Sequence, residues 1–123
     1  MRCPIATTFG VIGKKFTIHI LRNLMMLNQT RFNQLSESID GINPKTLSAR
    51  LKEMEKQGLI ERKVYPESPV RIEYLPTKKC EALLPILEQM AAFSMQYYPE
   101  VVFRDGKPRT FRQTIGRQTK RFQ

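Results

Sequence analysis

The sequence predicts a mainly α-helical protein with one small β-hairpin. Three observations predict this class: apolar residues recur at three- and four-residue steps through most of the chain, the period changes to two in residues 59–65 and 70–75, and Gly, Pro and Asn mark the changes between these patterns. The 123 residues fit one domain. We assign residues 1–103 to that domain and residues 104–123 to a basic tail.

Two helices are predicted before residue 28. The stretch from Pro4 to Leu27 carries a single apolar stripe, and Gly13 weakens its first half. We therefore expect a short helix, a break near Gly13, and a firm helix from about Lys14 to Leu27. Thr30 is a candidate N-cap for the next, short helix, whose apolar positions are Phe32, Leu35 and Ile39.

The following helix has clear start and stop signals. Asp40 and Gly41 form a turn signal, and Asn43 before Pro44 is a strong helix start, because Asn can cap a free N–H and Pro suits the first helical position. The helix is predicted to run to about Gln57 and to stop at Gly58. Its buried side is given by Leu47, Leu51 and Met54.

Two strands follow, at residues 59–65 and 70–75, and the Pro-rich residues 66–69 can join them as an antiparallel hairpin. A symmetric closure would place Arg62 opposite Glu73. Thr77 can cap a last helix, which Pro85 should bend and which fades at Pro99. Beyond residue 103 the chain is polar and basic, so we expect a disordered tail.

The order of these elements indicates a function. Two short helices joined by a Gly-containing turn form a helix-turn-helix, and a β-hairpin directly after them is a wing. The predicted architecture is therefore a winged helix-turn-helix. With one side of the helix after Asn43 in the core, its opposite side can enter the major groove of DNA.

The candidate DNA-binding residues belong to three groups. Those of the recognition helix are Asn43, Lys45, Thr46, Ser48, Ala49, Lys52 and Lys56, of which Lys45, Thr46 and Ser48 are candidates for base edges and Lys52 and Lys56 for phosphates. Those of the wing are Lys63, Ser68 and Arg71. Further candidate phosphate contacts are Arg31, Arg50, Arg104, Lys107, Arg109 and Arg112. Arg50 can instead pair with a neighbouring helix, such as at Glu37, and the lysines can simply form a solvated helix face.

The charge balance agrees with a polyanionic partner. The formal net charge is +10, from 21 Lys and Arg against 11 Asp and Glu. Residues 104–123 hold seven of these cations and one acid. We expect the tail to extend the DNA site by binding phosphates, although RNA binding and a solubilising role remain open.

Several classes of protein are excluded or disfavoured. No apolar run approaches the length of a membrane span, and we expect no secretory signal, so a cytoplasmic protein is predicted. One His and two separate Cys exclude a Cys/His zinc cage, and neither a catalytic triad nor a Gly-rich phosphate loop can be assembled. We therefore predict no enzyme activity, no cofactor and no metal site.

The motifs resemble those of one known family. Cys-Pro at residues 3–4, Gly-Lys-Lys-Phe-Thr at 13–17, Arg-Phe-Asn-Gln-Leu at 31–35 and the stretches 41–55, 58–62 and 65–74 resemble the HxlR-type winged helix-turn-helix transcriptional regulators, which are relatives of the MarR group. The resemblance covers about residues 3–98. It implies a homodimeric DNA-binding regulator that dimerises through its N- and C-terminal helices. Phe16 stands where the family usually has Trp, and the basic tail lies outside the shared pattern.

Some members of that family use a Cys at the Cys-Pro position to sense oxidants, which makes Cys3 a candidate redox sensor. Arg2 is adjacent, and Lys14 and Lys15 are not far along the chain; nearby cations favour the reactive thiolate form of a thiol. The alternative is an inert small side chain at the dimer interface. Cys80 lies on the apolar side of the last helix and is expected in the core.

A homodimer also follows from the residues themselves, because one small domain cannot cover Met25, Met26 and the many apolar residues of its last helix. The leading hypothesis is a sequence-specific regulator, more often a repressor than an activator, that binds a pseudo-palindromic operator on double-stranded DNA. Its effector is not indicated by the sequence. The competing hypothesis is an RNA-binding or DNA-architectural protein that uses the cationic tail.

Overall fold

The computed structural model describes residues 1–110. They form two compact units, Met1–Glu81 and the chain from Ala82 onward. The first unit contains α1 (Pro4–Ile12), α2 (Thr17–Met26), α3 (Phe32–Ser38), α4 (Pro44–Lys56), β1 (Ile60–Tyr65), β2 (Arg71–Pro76) and α5 (Lys78–Glu81). The second contains α6 (Leu84–Tyr97) and α7 (Pro99–Val102). This mainly helical architecture with one antiparallel hairpin confirms the predicted class.

The predicted break between the first two helices is present at residues 13–16. Gly13 donates its N–H to the carbonyl of Phe9 at 2.7 Å and closes α1. The second helix begins at Thr17 and not at Lys14, because Phe16 adopts a left-handed backbone conformation with φ of 75° that no helical turn can include.

The core of the first unit lies between α2, α3, α4 and the base of the hairpin. It is filled mainly by leucine and isoleucine side chains together with one methionine, and all of the following are buried: Ile20, Leu21, Leu24, Leu35, Leu47, Leu51, Met54, Leu59 and Ile60. Asn23 is a buried polar residue with partners, since its amide donates to Gln29 Oε1 at 3.0 Å and its Oδ1 accepts from Arg22 Nε at 2.9 Å. Because both of these hydrogen bonds are formed, burial of the Asn23 side chain does not leave an unpaired polar group in the core.

The start of α3 differs from the prediction by one residue. Arg31, and not Thr30, is the N-cap. The side chain of Gln34 accepts hydrogen bonds from the backbone N–H groups of both Thr30 and Arg31 at 3.0 Å. The carbonyl of Thr30 meanwhile accepts from the N–H of Tyr74 in β2 at 2.8 Å, which fastens the hairpin to the helix-turn-helix.

The hairpin register is also shifted by one. Lys63 lies opposite Glu73, and Arg62 lies opposite Tyr74. The predicted Arg62–Glu73 pair is wrong because Val70 stays outside the ladder, so the loop has five residues, 66–70, and not four. Thr77 closes the base of the hairpin by donating its N–H to the carbonyl of Leu59 at 3.0 Å.

The predicted last helix is interrupted. Thr77 caps α5 as expected, because its Oγ1 accepts from the N–H of Cys80 at 3.3 Å, but α5 ends at Glu81. The chain becomes helical again at Leu84, where Pro85 occupies the first turn of α6. Pro85 therefore breaks the helix instead of bending it, because a proline ring fits the first turn of a helix but would clash with the preceding turn of a continuous helix.

In the second unit, α6 is followed by the short helix α7, which begins at Pro99 where the helical signal was predicted to fade. Across residues 1–110, no helix has both the length and the apolar character needed to cross a membrane. The same residues contain no group of three His, Cys, Asp or Glu side chains that could hold a metal ion.

Candidate DNA interface

The α4 helix is held in one orientation by its cap and its buried side. Asn43 Oδ1 accepts from the N–H of Thr46 at 2.8 Å, and Pro44 occupies the first turn, as predicted. Leu47, Leu51 and Met54 are all buried. Because these three side chains repeat every three to four residues, the opposite side of α4 must face away from the core.

Four predicted residues lie together on that outward side. We call Lys45, Ala49, Lys52 and Lys56 the exposed stripe, because they are all exposed and follow one another at four-, three- and four-residue steps. On this surface Lys45 and Lys52 flank the methyl group of Ala49, and Lys56 lies one turn beyond Lys52. A helix side of this kind can lie against the base edges and phosphates of a major groove.

Two other predicted residues of α4 are placed differently. Thr46 and Ser48 are half-buried. Ser48 lines a hollow of about 340 Å³ between α4 and the hairpin, whose lining residues are Ser48, Leu51, Lys52, Glu55, Arg62 and Tyr74. Arg62, for which the sequence indicated only a place in the strand register, thus adds a second cation to the hollow that Lys52 lines. A basic residue on the strand after a recognition helix was the signal for it.

Arg50 faces the protein. Its Nε donates to the carbonyl of Lys15 at 2.9 Å, and its Nη1 lies 3.4 Å from Glu53 Oε1. The same Glu53 oxygen accepts from Lys14 Nζ at 3.1 Å. Arg50 therefore pairs with a residue of its own helix and with the loop before α2, and not with Glu37. The carboxylate of Glu53 joins the start of α2 to the middle of α4.

The wing candidates fall into two environments. Lys63 and Ser68 are exposed. Arg71 is half-buried, with Nε 3.1 Å from Glu67 Oε2, Nη1 2.5 Å from Glu73 Oε1, and its guanidinium 3.9 Å from the ring centre of Tyr65. The hydrogen bonds that Arg71 donates to the Glu67 carboxylate raise the pKa of Arg71 above its ordinary value. Arg71 thus holds the loop of the wing, and its charge is compensated by two carboxylates.

The remaining cations lie elsewhere. Arg31 is exposed at the start of α3 and lines a second groove with the strand β2, whose other lining residues are Phe32, Asn33, Gln34, Val70, Arg71 and Ile72. Arg104 and Lys107 are exposed in the second unit. Arg109 pairs with Asp105 and stacks 4.1 Å from the ring centre of Phe103. Arg112 and the rest of the predicted tail lie outside the described residues.

The comparison with family models decides the assignment. The model described as HxlR-like helix-turn-helix matches residues 11–102. This range includes the last two residues of α1 and every helix and strand that follows α1 in the described residues. The chain belongs to the HxlR-like helix-turn-helix family. The resemblance stated from the motifs is thereby confirmed, and with it the winged helix-turn-helix fold.

Named relatives of this HxlR-like chain are transcriptional regulators. An HTH-type regulator of Halalkalibacterium halodurans is 40% identical over 93 residues, covering 76% of this chain and 82% of the relative. The HTH-type regulator YodB of Bacillus subtilis is 35% identical over 96 residues, covering 77% and 85%. The HxlR-like chain is accordingly a DNA-binding protein of transcription regulation.

Solved structures agree with this assignment. The reduced form of YodB superposes with a TM-score of 0.65 at 33% identity, covering 79% of this chain and 95% of that one. The redox regulator HypR in its oxidised form gives a TM-score of 0.67 at 30% identity, covering 75% and 94%.

The two cysteines of the HxlR-like chain differ sharply. Cys3 is exposed at the N-cap of α1, where its Sγ accepts from the N–H of Ala6 at 3.4 Å. Cys80 is buried 3.9 Å from the sulfur of Met25, as predicted for a core residue. Burial raises the pKa of the Cys80 thiol to about 11. Cys3 is thus the accessible thiol of the pair.

Proposed function

We propose that this protein is a sequence-specific transcriptional repressor that occupies a promoter as a homodimer. The observation that carries the proposal is the exposed stripe of α4, three lysines and one alanine opposite a fully buried apolar side. The lysine side chains would contact phosphates and base edges in the major groove, and the wing residues Lys63 and Ser68 would reach the flanking backbone. The protein would act on double-stranded DNA in the cytoplasm, without a catalytic reaction or a cofactor.

Exposed apolar side chains support the homodimer. In α1, Ile5 is 82% and Phe9 is 68% exposed, and in the second unit Phe93, Tyr97 and Val101 are 57%, 68% and 77% exposed. A groove of about 620 Å³ along α6 is lined largely by apolar atoms of Ile86, Met90 and Phe93. A monomer would leave these side chains in water, whereas dimerisation through the N- and C-terminal helices would bury them.

A two-fold dimer presents two α4 helices to DNA. Such helices read half-sites separated by about one helical turn, roughly 34 Å, so the operator is expected to be pseudo-palindromic. Gel filtration with light scattering should give the mass of a dimer at micromolar concentration. A monomer at that concentration would remove the dimer from the proposal.

Selection of binding sites from a random DNA library at physiological salt tests the whole proposal. A single enriched inverted repeat, bound at least about a thousandfold more tightly than random DNA, is the expected result. The variants Lys45→Ala and Lys52→Ala should each weaken binding to it. Flat enrichment, or equal binding of RNA, would instead favour the architectural or RNA-binding alternative that depends on the cationic tail.

Regulation through Cys3 is a second part of the proposal. Its support is an exposed thiol at the first turn of α1, together with structural neighbours named as a redox regulator and as a regulator in reduced form. Diamide would take two hydrogen atoms from the Cys3 thiol and a second accessible thiol, such as Cys3 of the other protomer, and leave a disulfide. Operator binding by the wild type should therefore change on diamide treatment, and Cys3→Ser should abolish the change. Unchanged operator binding by the diamide-treated wild type would contradict regulation through Cys3.

A further inference from the structure

Ala49 is the short residue of the exposed stripe. Its neighbours on that surface are Lys45 four residues before it and Lys52 three residues after it, whose side chains are long and flexible. A lysine on each side reaches outward past the Ala49 methyl group by several bonds. The middle of α4 is therefore a small apolar recess between two cations, where the helix backbone can approach a duplex closely.

The rotation of α4 about its own axis is fixed on three sides, so Ala49 cannot turn toward the protein. The Oδ1 atom of Asn43 holds the first turn by accepting a hydrogen bond of 2.8 Å from the N–H of Thr46. Arg50 Nε donates to the carbonyl of Lys15 at 2.9 Å. One turn further on, Glu53 binds Lys14 at 3.1 Å. Residue 50 points inward in this arrangement, and residue 49 consequently faces the solvent.

The chemistry of the major groove gives such a methyl group one specific partner. Each base pair presents hydrogen-bond donors and acceptors there, but only a T·A pair also presents an apolar group, the C5-methyl of thymine. Ala49 has neither donor nor acceptor, so it can gain only from apolar contact. Cytosine and the purines would place polar edges against it without returning a hydrogen bond.

The geometry points to Ala49 as a specificity-determining residue that packs against the C5-methyl group of a thymine in each half of the operator. This inference rests on the proposed function, because it assumes that α4 enters the major groove. It adds the identity of one base and the group on that base which is read. The same methyl group exists on 5-methylcytosine, which should be accepted at that position better than cytosine.

The test replaces each thymine of the selected operator by uracil, one position at a time. This change removes the methyl group and leaves base pairing and every hydrogen-bonding edge unchanged. At one thymine in each half-site, uracil should weaken binding by the wild type about fourfold, the factor that corresponds to burial of about one methylene-sized group at 0.8 kcal/mol. Other thymines should show little effect.

The variant Ala49→Gly should bind thymine and uracil operators equally at that position. Lys52→Ala is the matched control on the same surface: it should weaken binding to both operators and keep the difference between them. Since glycine weakens a helix, circular dichroism of Ala49→Gly is measured, and Ala49→Ser serves as a second variant that keeps the helix and should lose the preference for the methyl group.

Two results would overturn the inference while leaving the regulator intact: an operator that tolerates uracil everywhere, or a uracil effect that persists unchanged in both Ala49 variants. The absence of any preferred operator would overturn the proposed function itself, and is distinguishable from both.

Discussion

Glu53 Oε1 forms ion pairs with cations from two parts of the chain, Lys14 Nζ at 3.1 Å and Arg50 Nη1 at 3.4 Å. Each of these ion pairs is partly exposed, so neither contributes much stability alone. The hydrogen bond from Arg50 Nε to the carbonyl of Lys15 at 2.9 Å adds a geometric constraint. Together these contacts set the orientation of α4 relative to the beginning of α2.

We predict that Arg50→Ala destabilises the protein. Loss of a charged hydrogen bond to a carbonyl group should lower the free energy of unfolding by about 1–2 kcal/mol, measured by urea denaturation. Lys52→Ala, an exposed neighbour, should change it by less than about 0.5 kcal/mol. If Arg50→Ala keeps full stability and loses only DNA affinity, Arg50 is a phosphate contact and the structural role assigned to it is wrong.

The two thiols should react at very different rates. With a thiol reagent at pH 8, native protein is expected to modify one equivalent of cysteine rapidly, because Cys3 is exposed and Cys80 is buried. The second equivalent should appear only on unfolding. Cys3→Ser should remove the fast phase, and two fast equivalents in the wild type would contradict the burial of Cys80.

The buried Cys80 thiol also predicts a dependence of stability on alkaline pH. Its pKa rises from 9.0 to about 11 on folding, so the thiol of the unfolded chain ionises first and the free energy of the unfolded state falls as the pH passes 9. The corresponding stability is complete below pH 9 and is lost progressively as the pH rises to about 11. The unfolding free energy of Cys80→Ala should decline less over this window than that of the wild type. Parallel decline of the two proteins would contradict the prediction.

At the scale of elements, α4 depends on its first turn. Asn43 satisfies one of the N–H groups that have no partner inside the helix. Asn43→Ala should cost about 1 kcal/mol of stability and weaken operator binding, because the outward side of α4 would be less well ordered. Asn43→Asp retains an accepting oxygen and is the control. Equal stability of Asn43→Ala and the wild type would show that the cap contributes nothing.

Elements with local signals were predictable from the sequence. The limits of α4 follow from the Asn43 cap, Pro44 and Gly58, and its exposed stripe follows from the helical repeat. The start of α2 and the hairpin register were not predictable, because the first depends on the left-handed Phe16 and the second on where Val70 leaves the ladder. The internal partner of Arg50 was equally inaccessible, since it joins residues 35 positions apart.

At the scale of the whole molecule, the net charge of +10 overstates the charge available to DNA. Lys14, Arg50, Arg71 and Arg109 all have carboxylate partners within the chain. Among the described residues that the sequence predicted to contact DNA, the accessible charge lies on the exposed stripe and on Arg31, Lys63, Arg104 and Lys107. Helix orientation therefore contributes more to the proposed site than composition does.

A truncated chain that ends at Thr110 tests the role assigned to the tail. It keeps the Arg109–Asp105 pair and removes Arg112, Arg117, Lys120 and Arg121. Affinity should fall by the same factor for operator and random DNA, and the plot of log affinity against log salt should become shallower, because fewer counterions are released. A selective loss of operator binding would instead place the tail in base recognition. Unchanged affinity for both would remove it from the DNA site.

Phe16 unites two opposing requirements at a single position. Its backbone has the left-handed φ of 75° that glycine tolerates best, yet its ring lies 6.0 Å from that of His19 and 5.1 Å from Lys15 Nζ. Exchange of Phe16 for glycine would relieve the backbone strain but would remove the ring and its contacts. Exchange for a branched aliphatic residue would increase the backbone strain and would still lack the ring contacts. We therefore expect this position, between the first two helices, to accept a flat, unbranched ring better than either glycine or a branched aliphatic.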